Sequence, residues 1–245
     1  MAGKVYLVGA GPGAQDLITL RGARLLAQAD VVLHDALVSP EMLELCPRAE
    51  LVDVGKRCGK QSARQDWINS QLLDYASKFA VVVRLKGGDP MLFGRADEEL
   101  SALEAAGIDV KIVPGITTAL AAAAATQQPL TRRGIARSVA FFTSSTAPEH
   151  ADPMPVTPEA DTLVQYMGGR EAIATAQRLL GSGRAPATPV VVVENCSRAE
   201  QRIMRLSLAA LADGLNVTHG PVLVMIGEAL RLRATQRDDT DQGAI

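Results

Sequence analysis

Short apolar runs rich in β-branched residues alternate along this chain with Ala- and Leu-rich stretches. The runs have the length of strands, and the stretches carry their apolar residues at helical spacing. Strands joined by crossover helices form a largely parallel sheet, so the pattern predicts an α/β fold. The elements predicted in the first half are strands Val5–Val8, Val31–His34, Leu51–Val54, Val81–Lys86 and Val110–Val113, and helices Leu20–Ala29, Asp66–Ala76 and Asp97–Ala106.

The second half has the same alternation and begins after the turn signal Pro114-Gly115. Thr117 and Thr118 are suited to cap the alanine-rich segment that follows them. The predicted elements here are helix Ala119–Ala125 and strands Val139–Thr143, Leu163–Tyr166, Val190–Val193 and Val222–Ile226.

Two segments of the second half lack a regular pattern. Four prolines between Ser144 and Ala160 predict an exposed irregular loop. The polar, aperiodic stretch 234–245 predicts a disordered tail. We therefore predict two α/β domains, residues 1–114 and 115–233, followed by that tail.

Composition and charge disfavour several functional classes. A chain of 245 residues with 47% hydrophobic content is long enough for one large domain or two smaller ones. A net charge of -2 provides no basic field for nucleic acid, and 3% aromatic residues leave little for stacking bases. No apolar run approaches the roughly 20 residues of a membrane helix. The first predicted strand begins near the N-terminus and leaves no room for a signal peptide, so we expect a cytoplasmic protein.

The metal-binding residue types are scattered. Three cysteines and three histidines lie far apart and lack the Cys-x-x-Cys spacing of a metal or redox pair. We therefore expect reduced thiols and no metal site.

Three glycine-rich turns follow predicted strands. The first, Gly9–Gly13, reads Gly-Ala-Gly-Pro-Gly, and Asp35 ends the next strand, as in dinucleotide-binding folds. Pro12, however, has no N–H to offer a phosphate, and several residues separate the loop from the predicted helix start at Thr19. A nicotinamide-dependent oxidoreductase is therefore one alternative, and for this turn alone a purely structural role is equally open.

The second and third turns are Lys86–Pro90 and Val113–Thr118. Paired glycines let the backbone approach a ligand, and Asp89 offers a carboxylate to ligand hydroxyls or to a cation. Each turn also has a structural interpretation, through the dihedral preferences of Gly, Asp and Pro or through helix capping by threonine. Because all three turns follow strands of one predicted sheet, we expect them to converge on one crevice.

Twelve short motifs run in order from residue 5 to residue 233 and include residues of all three turns. They resemble those of uroporphyrinogen-III C-methyltransferases, in the tetrapyrrole methylase superfamily. The motifs are Val5–Gly13, Leu17–Gly22, Ala29–Ser39, Val54–Arg57, Leu85–Pro90, Phe93–Arg95, Pro114–Thr117, Pro129–Thr131, Tyr166–Gly168, Val193–Asn195, Gly227–Glu228 and Leu230–Arg233.

This resemblance implies a reaction and an architecture. The methyl donor would be S-adenosylmethionine, leaving as S-adenosylhomocysteine, and the substrate uroporphyrinogen III, methylated at two ring carbons to precorrin-2 for siroheme or cobalamin-type biosynthesis. The cofactor would lie in a cleft between two α/β domains of a homodimer.

The resemblance also assigns residues. Asp35 falls at the proton acceptor and Lys56 at the proton donor. The implied cofactor contacts are Pro12, Gly87, Gly88, Asp89, Leu92, Thr117, Thr118, Met167, Cys196 and Val222.

The acetate and propionate groups of such a substrate require cationic side chains that can donate two hydrogen bonds to one carboxylate, as arginine does. Arg95 and Arg133 are the candidates, and Glu98 is near enough in sequence to orient Arg95 or to act on a pyrrole N–H. The chain departs from the usual family residues at five positions, which motivate an alternative: a non-catalytic or altered-substrate paralogue that still binds S-adenosylmethionine. These positions are Gln61, Arg132, Ser144, Ser145 and Cys196.

Overall fold

The computed structural model describes residues 3–55, 61–144, 156–217 and 220–233. The chain divides into two compact units, Met1–Thr118 and Ala119–Ile245, a few residues beyond the predicted boundary. Each unit contains one five-stranded sheet. Within the described ranges, no helix combines the length and apolar character needed to cross a membrane.

The first unit is built on a parallel sheet with strand order β3-β2-β4-β1-β5. All four neighbouring pairs are parallel, so every carboxyl end lies at the same edge. The strands are β1 (Lys4–Gly9), β2 (Val31–His34), β3 (Glu50–Asp53), β4 (Val81–Lys86) and β5 (Val110–Val113). The helices are α1 (Leu20–Gln28), α2 (Pro40–Leu43), α3 (Gln61–Lys78) and α4 (Ala96–Ala105).

Apolar side chains cover both faces of this sheet. On one face, Leu33 and Val82 pack in a core with Leu72 of α3 and Leu103 of α4. The opposite face carries a second core, in which α1 and α2 take part. Burial on both faces explains why the central strands appear in the sequence as nearly continuous apolar runs.

The second unit contains a mixed sheet with strand order β6-β7-β10-β8-β9. Only β6 and β7 are parallel; β10 runs antiparallel to β7 and β8, and β8 antiparallel to β9. The strands are β6 (Val139–Thr143), β7 (Thr162–Tyr166), β8 (Pro189–Glu194), β9 (Arg202–Ser207) and β10 (Val222–Ile226). The helices are α5 (Thr118–Thr126), α6 (Gly168–Gly181) and α7 (Leu208–Asp213).

The α/β prediction is confirmed, but the expectation of a largely parallel sheet is wrong for the second unit. The connection from β8 to β9 covers residues 195–201, which is too short for the crossover that a parallel pair requires. Strand β9 and helices α6 and α7 were not predicted. Residues 156–160 contain no helix or strand, while 145–155 and the predicted tail 234–245 lie outside the described residues.

Candidate functional site

The three glycine-rich turns lie side by side, because they follow β4, β1 and β5, which are neighbours in the first sheet. Gly11 N donates to Gly88 O at 3.1 Å, and Gly88 N donates to Gly11 O at 2.7 Å. Gly115 N donates to Asp89 Oδ2 at 2.9 Å, which joins the third turn to the second. The predicted convergence of the turns is therefore present at the carboxyl edge of the sheet.

Glycine is required here for close backbone contact. A Cβ on Gly9 would lie 2.6 Å from Gly115 Cα, and a Cβ on Gly115 would lie 2.2 Å from Gly88 O. Gly88 differs, because its φ of +68° favours glycine while a Cβ there would meet nothing within 4 Å. Backbone at Gly88 therefore borders open space, where a ligand can approach it closely.

The first turn cannot act as a phosphate cradle through its leading N–H groups. Ala10 N donates to Lys86 O at 2.8 Å, Gly11 N is bonded to Gly88 O, and Pro12 has no N–H. The sequence continues into a short 3-10 helix, Gln15–Leu17, before α1 begins at Leu20 with Thr19 as its cap. This geometry disfavours the dinucleotide-binding alternative.

Asp89 has a structural role in the second turn. Its Oδ1 accepts from Met91 N at 2.8 Å, while Oδ2 accepts from Gly115 N. Each carboxylate oxygen can accept a second hydrogen bond, so binding of a ligand hydroxyl or ammonium stays a prediction. The remaining predicted contacts of the first unit, Pro12, Gly87, Leu92, Thr117 and Thr118, belong to the same three turns or the segments that follow them.

Asp35, directly after β2, is joined to a buried group of charges. Its Oδ1 accepts from Arg84 Nη2 at 2.6 Å. Arg84 Nε donates to Glu99 Oε1 at 2.9 Å, and Lys86 Nζ donates to Glu99 Oε2 at 2.9 Å. Side-chain exposure is 28% for Asp35 and 2% for Arg84, and Glu99 is fully buried. We call these four residues the charge quartet.

The quartet contains two cations and two carboxylates. Burial opposes the charge on Arg84, yet the carboxylates of Asp35 and Glu99 outweigh it and raise the pKa of Arg84. Burial, followed by the neighbouring Arg84 charge, lowers the pKa of Lys86 below its ordinary value. Sequence reasoning missed Arg84, Lys86 and Glu99 as site residues. Two basic residues at alternate positions of an otherwise apolar strand were the available signal, since they share one face of the sheet.

Arg95 and Glu98 form a bidentate ion pair. Arg95 Nε donates to Glu98 Oε1 at 2.7 Å, and Nη2 donates to Oε2 at 2.8 Å. Both side chains are more than 40% exposed. Arg95 occupies the left-handed region with φ of 54° at the start of α4. The predicted orienting role of Glu98 therefore has a geometric basis, while substrate binding by either residue stays a prediction.

Met167, Cys196 and Val222 lie together at one edge of the second sheet. Met167 follows β7, Cys196 follows β8, and Val222 begins β10, which pairs with both strands. The Cys196 side chain is 3% exposed, and burial raises its pKa to about 11. Arg133 is exposed in a turn closed by pairing of Arg132 with Ala136.

Several predicted positions lie outside the described residues, namely Lys56, Ser145 and the side chain of Gln61. Ser144 is described and buried, with Oγ 3.3 Å from Thr175 Oγ1. In the part of the chain that the structure describes, there is no group of three or more His, Cys, Asp or Glu residues able to hold a metal ion.

Residues 4–212 match the Tetrapyrrole (Corrin/Porphyrin) Methylases family. The uroporphyrinogen-III C-methyltransferase of Pseudomonas aeruginosa is 46% identical over 238 residues, covering 94% of this chain and 96% of that protein. The siroheme synthase of Pseudomonas fluorescens is 46% identical over 237 residues; these cover 94% of this chain but 51% of the synthase, so the chain spans about half of that relative. The uroporphyrin-III C-methyl transferase from Thermus thermophilus, solved with S-adenyl homocysteine, superposes with a TM-score of 0.81, at 39% identity and 94% coverage of each chain. The chain therefore belongs to the tetrapyrrole methylase family.

Proposed function

We propose that this protein is an S-adenosylmethionine-dependent methyltransferase that methylates two ring carbons of uroporphyrinogen III to give precorrin-2. One observation carries the proposal: Asp35 is held by a buried arginine at the same sheet edge as three turns whose backbones meet around an open Gly88. The names of the similar proteins from Pseudomonas aeruginosa and Thermus thermophilus support the same reaction.

The described residues fit the methyl donor better than a dinucleotide. S-adenosylmethionine supplies an electrophilic methyl group on a sulfonium, and its ribose diol and ammonium seek acceptors. The first turn lacks free leading N–H groups for a phosphate, whereas Asp89 and the turn carbonyls provide acceptors. The residues that would hold the donor are Pro12, Gly87, Gly88, Asp89, Leu92, Thr117, Thr118, Met167, Cys196 and Val222.

The reaction requires alignment first and proton removal second. A ring carbon of the substrate donates its electron pair to the methyl carbon while the methyl–sulfur bond breaks, and the electrons of that bond stay on sulfur. Reacting atoms must be held about 3 to 3.5 Å apart for this displacement. The methylated macrocycle is then cationic and loses a proton.

Asp35 is the proposed acceptor of that proton. Arg84 occupies Oδ1, and among the described residues no donor engages Oδ2. General-base catalysis of this kind contributes typically about 10²- to 10⁴-fold in rate. Lys56, as proton donor, remains a prediction from the family resemblance.

The exposed pair of Arg95 and Glu98 is suited to carboxylate exchange. A substrate acetate or propionate presents the same two oxygens to the guanidinium as Glu98 does. We propose that a substrate carboxylate displaces Glu98 from Arg95, and that Arg133 binds a second carboxylate.

The direct test is anaerobic incubation of the protein with S-adenosylmethionine and uroporphyrinogen III. We expect a product carrying two added methyl groups, detected by mass spectrometry. We further expect Asp35→Ala to lose turnover and to retain S-adenosylhomocysteine binding by calorimetry. Asp74→Ala is the matched control, because that carboxylate pairs with Lys78 on the exposed surface of α3.

Two outcomes would contradict these proposals. Folded wild-type protein that yields no methylated product would refute the function. Loss of S-adenosylhomocysteine binding in Asp35→Ala would show that Asp35 is a cofactor or structural residue.

Ser144 is the described position at which the alternative of a non-catalytic paralogue can be tested. Its buried hydroxyl contacts Thr175 Oγ1 and accepts from Arg178 Nη2 at 3.4 Å, contacts that glycine cannot make. The variant S144G/S145H restores the usual family residues. Activity that appears only in this variant would favour a non-catalytic paralogue.

We also propose a cytoplasmic homodimer. Light scattering coupled to size-exclusion chromatography tests its mass, and a monomer at micromolar concentration would contradict the dimer.

A further inference from the structure

We infer that Arg84 is a positioning residue for methyl transfer: it fixes the Asp35 carboxylate, and Glu99 together with Lys86 holds Arg84 in the required orientation. This inference rests on the proposed function, since it assumes that Asp35 accepts the proton. It adds three buried residues to the reaction, none of which needs to touch substrate or cofactor.

All three nitrogens of the Arg84 guanidinium are engaged. Nη2 donates to Asp35 and Nε to Glu99, while Nη1 donates to Leu85 O at 3.2 Å and to Leu33 O at 3.4 Å. Leu33 and Leu85 lie on the adjacent strands β2 and β4. The position of Asp35 Oδ1 is therefore set by the sheet itself and not only by the loop that carries Asp35.

Stability alone explains the quartet poorly. Buried ion pairs lose hydration on folding, and well-packed apolar replacements are often equally or more stable. The other four residues of β4 are valine and leucine, so apolar residues suit this strand. Of the four quartet residues, Arg84, Lys86 and Glu99 are almost fully buried, and Asp35 alone is substantially exposed. The charges thus extend from the core to the surface at the proposed proton acceptor.

The quartet also fixes the charge around Asp35. The charged or titratable groups near it are Arg84 and Lys86 from β4, Glu99 from α4 and His34 from its own strand. A guanidinium bonded to a carboxylate favours the ionised form, which is the form that accepts a proton. Removing Arg84 should therefore remove both the fixed position and the balancing charge of the Asp35 carboxylate.

The decisive variant is R84Q/E99Q. It deletes one cation and one carboxylate, keeps the remaining charges balanced and leaves a polar amide at each position, although glutamine is shorter than arginine. We expect kcat to fall about 10- to 100-fold with little change in substrate KM. The 13C NMR signal of the Asp35 carboxyl group, assigned by its absence in D35N, should change its chemical shift in R84Q/E99Q protein without cofactor, because the carboxylate loses its bonded guanidinium.

Two further variants serve as comparisons. K86M/E99Q is also charge-neutral but keeps the contact of Arg84 with Asp35, so its loss of kcat and its change in the Asp35 carboxyl signal should both be smaller than those of R84Q/E99Q. D74N/K78M removes an exposed ion pair of α3 and should match wild type. If R84Q/E99Q does not fold, R84K provides a second test. Lysine keeps the positive charge but has no planar guanidinium that can bind Asp35 and Glu99 at the same time. We expect kcat to fall in R84K while the affinity for S-adenosylhomocysteine is unchanged.

Wild-type kcat in a folded R84Q/E99Q variant, or wild-type turnover in R84K, would overturn the inference. A wild-type protein that makes no methylated product would instead refute the proposed function. The NMR signal separates these failures, because it reports the contact of Arg84 with Asp35 without turnover.

Discussion

The backbone contact at Gly115 leaves no space for a side chain. A Cβ there would lie 2.2 Å from Gly88 O and 2.8 Å from Gly9 Cα. Gly115→Ala must therefore push the third turn away from the first and second turns. We expect a loss of about 1 to 3 kcal/mol in the free energy of unfolding, together with weaker S-adenosylhomocysteine binding. Urea denaturation and calorimetry measure the two effects.

Gly214→Ala is the matched control for that substitution. Gly214 has extended backbone, and a Cβ there would meet nothing within 4 Å. Equal losses in both variants would show that the turn contact has no special role.

The buried thiols of Cys46 and Cys196 should be inert in the folded protein. Burial raises both pKa values from 9.0 to about 11. At pH 8 the thiolate fraction is then on the order of 10⁻³, and alkylation requires the thiolate. We expect iodoacetamide to label both residues slowly in buffer and rapidly in urea. Peptide mass spectrometry separates them from Cys58, which lies outside the described residues; rapid labelling of native protein would contradict the burial.

The same shifts fix the sign of a pH effect. Between pH 9 and 11, the folded protein keeps the two thiol protons that the unfolded chain releases. Stability contributed by these thiols is therefore lost as pH rises through that window.

The candidate site was only partly predictable at the residue scale. Glycine, proline and aspartate mark turns directly in a sequence, so the three turns and Asp35 were found. Arg84 and Glu99 were not found, because a charged residue is usually exposed and its partner is distant along the chain. The double role of Asp89 was also hidden, since its contact with Gly115 depends on the order of strands in the sheet.

Predictability at the element scale depended on uninterrupted runs of β-branched or apolar residues. All five strands of the first sheet were predicted. The central strands β1, β2 and β4 are buried apolar runs, whereas the edge strands β3 and β5 are more exposed but still contain β-branched residues. Strand β9 was missed because exposed arginines interrupt its apolar residues. Helix α6 was missed because it begins with Gly168-Gly169, which resembles a loop in sequence.

Gly168 is explained by the packing of α6 on the second sheet. A Cβ there would lie 2.8 Å from Val224 Cγ2, and Val224 is fully buried in β10. We expect Gly168→Ala to destabilise the protein by about 1 to 3 kcal/mol, despite the higher helix propensity of alanine. Chemical denaturation measures this loss.

Gly181→Ala, at the other end of α6, is the control, because a Cβ there would meet nothing within 4 Å. It should be neutral or slightly stabilising. A neutral Gly168→Ala would show that α6 can shift away from β10 without cost.

Ligand-linked stability tests the molecule as a whole. A ligand that binds only the folded state stabilises it by about 2.7 kcal/mol at 100 times its Kd. We expect S-adenosylhomocysteine to raise Tm at saturating concentration and NADH to leave Tm unchanged. The N–H groups of Ala10 and Gly11 already donate to backbone carbonyls of the second turn, and Pro12 has no N–H, so none of the three can bind the NADH phosphates. Differential scanning fluorimetry over a ligand series measures both responses.

D35A should keep the full S-adenosylhomocysteine response, because Asp35 is assigned to the substrate proton and not to the cofactor. A rise in Tm with NADH and none with S-adenosylhomocysteine would reverse this assignment in favour of a nicotinamide-dependent oxidoreductase, and the engaged N–H groups of the first turn would then require another explanation.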